Sequence, residues 1–254
     1  MFEEEPKFYI EQNWGVFWGR FINNAFHKHY AIQLSFAEEM PVQVMTTDGH
    51  KHIYDCTLVK SNVTHQLVCN GRHLILLFSP ITSMGQFLSQ LSADDVILLK
   101  HSIAEEVQLL LSQLVRRQID FKKFIELIKI RLEQFNGACL TQRHLVDERI
   151  ERALSYLEAN KNRVVPLAEI AKENFLSPSR FLHLFKDVLG ITYRRAQLWI
   201  KICHSFAYLQ KHSITDTAYQ YGFADSAHYS KVFKQNFGFS PKFLKTALRE
   251  EIPK

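Results

Sequence analysis

The C-terminal part of the sequence repeats itself, and this repeat constrains the fold more than any other feature. Ile170-Ala171-Lys172-Glu173 returns as Thr217-Ala218-Tyr219-Gln220. After one inserted residue, Leu184-Phe185-Lys186 returns as Val232-Phe233-Lys234, and Gly190-Ile191-Thr192-Tyr193 as Gly238-Phe239-Ser240-Pro241. Each copy reads as a short helix, a tight connection and a second helix, over about 167–188 and about 214–236. The second helices are expected to start at Ser177 and Asp225, whose side-chain oxygens suit the N-cap. Pro178 then falls at the first helical position, where its missing N–H costs nothing. The region 146–254 is accordingly read as one all-helical domain.

The second helices have two unlike faces. Phe181, Leu184 and Phe185 line one side of the first, and Tyr229, Val232 and Phe233 one side of the second, as core residues do. The opposite sides display Ser179, Leu182, His183 and Lys186, and Ser226, Ala227, Ser230, Lys231 and Lys234. Small residues admit a helix to the roughly 12 Å major groove of duplex DNA, and Ser, His and Lys can bond base edges or phosphates. The charge is placed to match. Residues 147–254 carry 17 Lys and Arg against 11 Asp and Glu, a net of +6, whereas residues 1–146 carry 14 against 15, a net of −1. A helix from Tyr193 to Gln210, buried through Leu198, Ile202 and Leu209, would fix the spacing of the two reading helices. They could then enter successive groove faces about one turn, ~34 Å, apart. From residues alone an all-helical protein-interaction module with solvated faces stays open. Steep salt dependence of duplex binding separates the two.

Residues 149–249 resemble the C-terminal domain of the AraC/XylS family of transcription regulators. The resemblance is densest over Tyr221-Gly222-Phe223-Ala224-Asp225-Ser226-Ala227-His228-Tyr229-Ser230-Lys231-Val232-Phe233-Lys234-Gln235-Asn236-Phe237-Gly238-Phe239-Ser240-Pro241. The first copy is similar through Leu176-Ser177-Pro178 and Leu184-Phe185-Lys186. The resemblance implies promoter binding with one helix of each motif in the major groove. Ser179 and His183 match contact positions of the first motif, and Ser226, Ala227, Ser230 and Lys231 those of the second. Lys186 and Lys234 read as phosphate contacts, which position rather than specify. The first copy departs from the pattern. Asn174-Phe175 stands where an apolar residue and Gly are usual, so Asn174 is expected in the turn and Phe175 in the core. Leu182 replaces a polar residue and suits a thymine methyl, and His183 replaces an Arg that would bond guanine bidentately. Thr217 in the second copy replaces a branched apolar residue. The second motif is therefore expected to read more sequence than the first.

The N-terminal half reads differently. Ala31–Phe36, Pro41–Met45 and Leu74–Phe78 look like short strands, with Gly49, Asn62 and Asn70-Gly71 as turns. Residues 1–83 are expected to form an antiparallel sandwich or small barrel; through His27-Lys28-His29 and Val63-Thr64-His65, about residues 8 to 80 resemble the cupin-like effector or dimerisation domain of many such regulators, which implies a β-barrel. Residues 84–140 carry helical periodicity from Met84 to Phe135 and are read as a helical linker or as dimerisation helices. The expected class is α+β, a cupin-like barrel followed by the double helix-turn-helix domain. His27 and His29 fall on one side of a strand and His65 can approach them. Trp14, Trp18, His27, His29 and His65 are read as lining a small-molecule effector pocket. Three imidazoles also suit a metal, but no acidic residue completes a ligand set, so neither metal nor cofactor is assigned. An enzyme of barrel type is the alternative that a complete metal triad would reopen. Cys56, Cys69, Cys139 and Cys203 lack metal-finger spacing and read as free thiols of a reducing compartment. Glu3-Glu4-Glu5 at the N-terminus does not resemble a signal peptide. No apolar run reaches the ~18 residues of a membrane span. A cytoplasmic, ligand-responsive transcription activator is expected, with a repressor acting without a small-molecule effector as the alternative. Double-stranded promoter DNA, RNA polymerase for an activator, a small-molecule effector and a second copy of the chain are the expected partners, and no membrane.

Overall fold

The computed structural model describes residues 6–11, 13–20, 26–38, 40–68, 71–142, 147–237 and 239–250. Glu3 to Glu5, Cys69, Asn70 and Gly238 of the sequence reading lie outside the described residues, as does the side chain of Cys139. The chain divides into two compact units, Met1–Gln142 and Arg143–Lys254.

Among the described residues the first unit is built on nine strands: β1 Lys7–Ile10, β2 Trp14–Gly19, β3 Ile32–Ala37, β4 Val42–Thr46, β5 Lys51–Tyr54, β6 Cys56–Val59, β7 His65–Val68, β8 His73–Phe78 and β9 Val96–Leu98. They form two antiparallel sheets, one six-stranded in the order β1-β2-β8-β3-β6-β9 and one three-stranded in the order β5-β4-β7. The sheets do not close, so the expected barrel is replaced by two open sheets. The reason lies in what covers each face. In a barrel every strand has one interior face, but β3 is buried at all six positions. Its even residues Ile32, Leu34 and Phe36 share a core with Val16 and Trp18 of β2, Leu74, Leu76 and Phe78 of β8, and three helices. Those helices are α1 Ser83–Gln90, α2 Ser102–Val115 and α3 Phe121–Gln142. They contribute Leu88, Val107, Leu111, Phe124 and Ile128, so α1 to α3 cover the large sheet. The odd residues Gln33 and Ser35, with Thr57 of β6, are buried on the other face. Val42, Val44, His65 and Leu67 form the buried face of the small sheet. A core of this size stabilises by roughly 25 cal/mol per Å² of apolar surface removed from water. The strand β9 lies inside the stretch read as helical, where Ile97-Leu98 pairs with Leu58-Thr57 of β6.

The second unit is all helical: α4 Glu148–Ala159, α5 Leu167–Glu173, α6 Pro178–Leu189, α7 Tyr193–Lys211, α8 Ile214–Gln220, α9 Ser226–Phe237 and α10 Pro241–Glu250. At 1.5 Å per residue the 19-residue α7 is about 28 Å long. It is the spine of the unit, burying Ala196, Trp199, Ile200, Ile202, Cys203, Phe206 and Leu209 on several sides, with Leu198 only half-buried. On one side Phe181 and Phe185 meet Tyr193 edge-on, with ring centroids 5.4 and 5.7 Å apart. On the other, Phe233 and Phe237 pack on Phe206 at 5.3 and 4.9 Å. Such aromatic pairs contribute about 0.5–1.5 kcal/mol each beyond area burial. Among the described residues, no helix is long and apolar enough to cross a membrane. Cys56 and Cys203 are free, buried thiols, and burial pushes the Cys56 thiol up to about 12.

Candidate nucleic-acid interface

Each motif is a helix pair held by local capping. Ser177 caps α6, its hydroxyl accepting from the Arg180 N–H, with Pro178 at the first helical position. The Asp225 carboxylate accepts from the His228 N–H at 2.6 Å, which caps α9 in the same way. Ser213 caps α8 by accepting from the Asp216 N–H at 3.0 Å.

The second helices of the motifs, α6 and α9, keep the two faces seen in the sequence. On α6, Phe181 and Phe185 are fully buried and Leu184 half-buried, while Ser179, Leu182, His183 and Lys186 are exposed. On α9, Tyr229, Val232 and Phe233 are buried, Ala227, Lys231 and Lys234 exposed, and Ser226 and Ser230 half-buried. The hydroxyl of Ser230 donates to the Ser226 carbonyl at 2.8 Å, so outward it offers lone pairs rather than a proton. Among the described residues Lys186, Lys231 and Lys234 form no ion pair. Their charge is therefore uncompensated by the protein, the condition for attracting a polyanion. Arg180, absent from the sequence candidates, is likewise exposed and without an ion pair there, and lies one helical turn before His183. Its position in the first turn of a reading helix, outside the apolar face, was the available signal.

The turns of the two motifs differ from expectation in one exchange of roles. Asn174 is buried, its side-chain amide donating to the Ile170 carbonyl at 2.7 Å. Phe175 takes the left-handed backbone, φ 55°, and is 87% exposed. The turn residue is thus Phe175 and the buried one Asn174, the reverse of the sequence reading. The physical reason is that the left-handed residue points its side chain away from the helix pair, and Leu176 follows it inward. Thr217 keeps its buried place by donating its hydroxyl to the Ser213 carbonyl at 2.7 Å.

In the first unit the effector candidates divide between two faces. Trp14 and Trp18 lie on the helix-covered face of the large sheet. The Trp18 ring stacks on Phe121 at 6.4 Å and donates to Glu38 at 3.3 Å, and Trp14 donates to Glu11 at 3.0 Å. His27, His29 and His65 meet elsewhere, with ring centroids 4.6 to 5.6 Å apart. His29 bonds Gln33 of the opposite face.

Compared with known proteins, residues 170–247 match the helix-turn-helix domain family. The HTH-type transcriptional activator RhaS of Yersinia pestis (strain Pestoides F) is 35% identical over 104 residues, covering 39% of this chain and 37% of the relative. RhaS of Yersinia pseudotuberculosis serotype O:1b (strain IP 31758) gives the same figures. The match thus spans little more than a third of the length of these curated relatives. Across nearly the whole chain the fold is similar to that of ToxT from Vibrio cholerae O395, with a TM-score of 0.58 at 16% identity over 95% of this chain and 98% of that one. Wild-type ToxT of strain SCE256 with a bound unsaturated fatty acid gives a TM-score of 0.56 at 15% identity, over 98% and 96%. At these identities the likeness is one of fold.

Proposed function

We propose that the chain is a sequence-specific DNA-binding transcription activator of AraC/XylS type, whose α6 and α9 enter promoter major grooves. The observation that carries this reading is the pairing of two capped helices, each with an exposed polar face, inside the residues that match the helix-turn-helix family. Ser226, Ala227, Ser230 and Lys231 are assigned to base and backbone contacts of the second motif, and Ser179, Arg180 and His183 to those of the first. Leu182 is assigned to a thymine methyl, and Lys186 and Lys234 to phosphates. The second motif is the main reader, because every side chain of its face is small or polar, while the first presents Leu182 and His183.

Activation is supported by the relatives named as transcriptional activators, and recruitment of RNA polymerase is the route assigned to it. A small-molecule effector acting on the first unit is supported by the fold shared with the fatty-acid-bound ToxT. The test is a genomic map of bound sites, followed by footprinting on the strongest. The expected result is two protected major-groove faces about one turn apart upstream of promoters. Uniform occupancy with no protected sequence overturns the reading.

A further inference from the structure

We propose that His27, His29 and His65 form a binding site for a divalent transition-metal ion of the zinc class, in the first unit and independent of the DNA-binding reading. The ligating nitrogens of these three residues all lie within 4.8 Å of one another. Zinc–imidazole bonds of about 2.1 Å in a tetrahedron place nitrogens about 3.4 Å apart, so closing on an ion needs movements on the order of 1 Å.

The backbone prepares the cluster. His27 and His65 exchange both N–H···O=C bonds, each 2.9 Å, as an isolated antiparallel bridge. A directly opposed pair of this kind puts both side chains on one side. His29 follows two residues after His27, and its carbonyl accepts from the Asn62 N–H at 2.7 Å, which ties it to the loop before β7.

Proton placement also favours an ion. Nδ1 of His65 lies 2.9 Å from the Val63 carbonyl and so carries the hydrogen. Its Nε2 is left with a bare lone pair, buried and without a hydrogen-bond partner. A backbone carbonyl that fixes one ring nitrogen while the other ligates is the usual outer arrangement of a metal-bound histidine. Nδ1 of His29 lies 2.9 Å from the Ala31 carbonyl, and its Nε2 lies 3.0 Å from Gln33 Oε1, an acceptor, so Nε2 ligates once the Gln33 side chain turns its oxygen away.

The donor set selects the class of ion. Three imidazoles without a carboxylate suit zinc, cobalt, nickel or copper and not calcium or magnesium, which require oxygen. Three ligands leave a fourth position for water or an anion. His27, half-buried beside two buried partners, marks the way in.

The test uses the untagged full chain, stripped with a chelator and titrated with Co²⁺, then with Zn²⁺ in competition. The expected result is one Co²⁺ per chain with visible ligand-field absorption, displaced by Zn²⁺. His29→Gln and His65→Gln should each weaken binding at least tenfold, while His50→Gln, at an exposed histidine outside the cluster, leaves it unchanged. His27→Gln, on the half-buried ligand, decides the matter if a buried variant fails to fold. Absence of saturable binding, or equal affinity in wild type and His27→Gln, overturns the proposal.

Discussion

Phe175 and Gly222 close the same turn in the two motifs, with φ of 55° and 62°. Left-handed backbone costs a residue with a β-carbon about 1–2 kcal/mol, and glycine nothing. Phe175 offsets little of this by packing, since its ring is 87% exposed, with the Arg152 guanidinium 5.7 Å from it. Phe175→Gly relieves the strain but loosens the unfolded chain by roughly 0.5–1 kcal/mol. The expected net effect is stabilisation of the second unit by about 0.5 kcal/mol. The reverse exchange, Gly222→Ala, meets the Asn162 carbonyl at 3.1 Å and the Lys201 ammonium at 3.2 Å as well as the positive φ. It should destabilise by about 1–2 kcal/mol. Urea denaturation of both variants checks the opposite signs.

Gly85 is required for a different reason. It lies in the first turn of α1, capped by Thr82, and a β-carbon there would stand 2.1 Å from the Ser79 carbonyl. Backbone must move to admit it. Gly85→Ala is expected to cost the first unit about 1–3 kcal/mol, the range for overpacking, read as a lowered denaturation midpoint. An unchanged midpoint would show that the turn before α1 yields freely.

His73 links the first unit to acidity. It is fully buried on β8, opposite Gly19 and Ala37, and burial pushes its imidazole down to about 4. The unfolded chain takes up the proton near pH 6.5 and the folded one only near 4. Stability from this group is therefore complete above 6.5 and declines as pH falls toward 4, by up to about 1.4 kcal/mol per pH unit. His73→Gln should flatten that part of the profile of stability against pH. Parallel profiles for variant and wild type would contradict the assignment.

Much of this molecule was legible in the sequence, and the failures have physical causes. The second unit was readable because capping, helical period and the repeat agree: Ser177, Pro178 and the Phe181–Phe185 face all fall where the residues indicate. In the first unit, alternation located β3 and β4 and a fully apolar run located β8, but neither showed sheet closure, since closure depends on which strands pair at the edges. Strand β9 was hidden because three apolar residues fit a helical stripe as well as a strand. The exchange between Asn174 and Phe175 was missed because propensity favours Asn in left-handed backbone, while the buried carbonyl of Ile170 claims its amide. That the tryptophans and the histidines lie on different faces was not legible, because it depends on register, which sets Trp14 and Trp18 on the helix-covered face.

Lys234 should act as a grip on the DNA backbone. Lys234→Ala is expected to weaken specific and random duplex alike, and to reduce the slope of log affinity against log salt by about 1. Fluorescence anisotropy across a salt series measures both quantities. A loss confined to the specific site would instead place Lys234 among the base-reading residues.

The most direct test of the central claim is the ratio of affinities for a footprinted site and a random duplex, at one fixed salt concentration, before and after joint replacement of Ser230 and Lys231 by alanine. Direct reading of base edges by α9 predicts that the ratio falls at least about tenfold, equivalent to about 1.4 kcal/mol. An equal loss on both duplexes would contradict it, leaving α9 as a grip on the backbone rather than a reader of sequence.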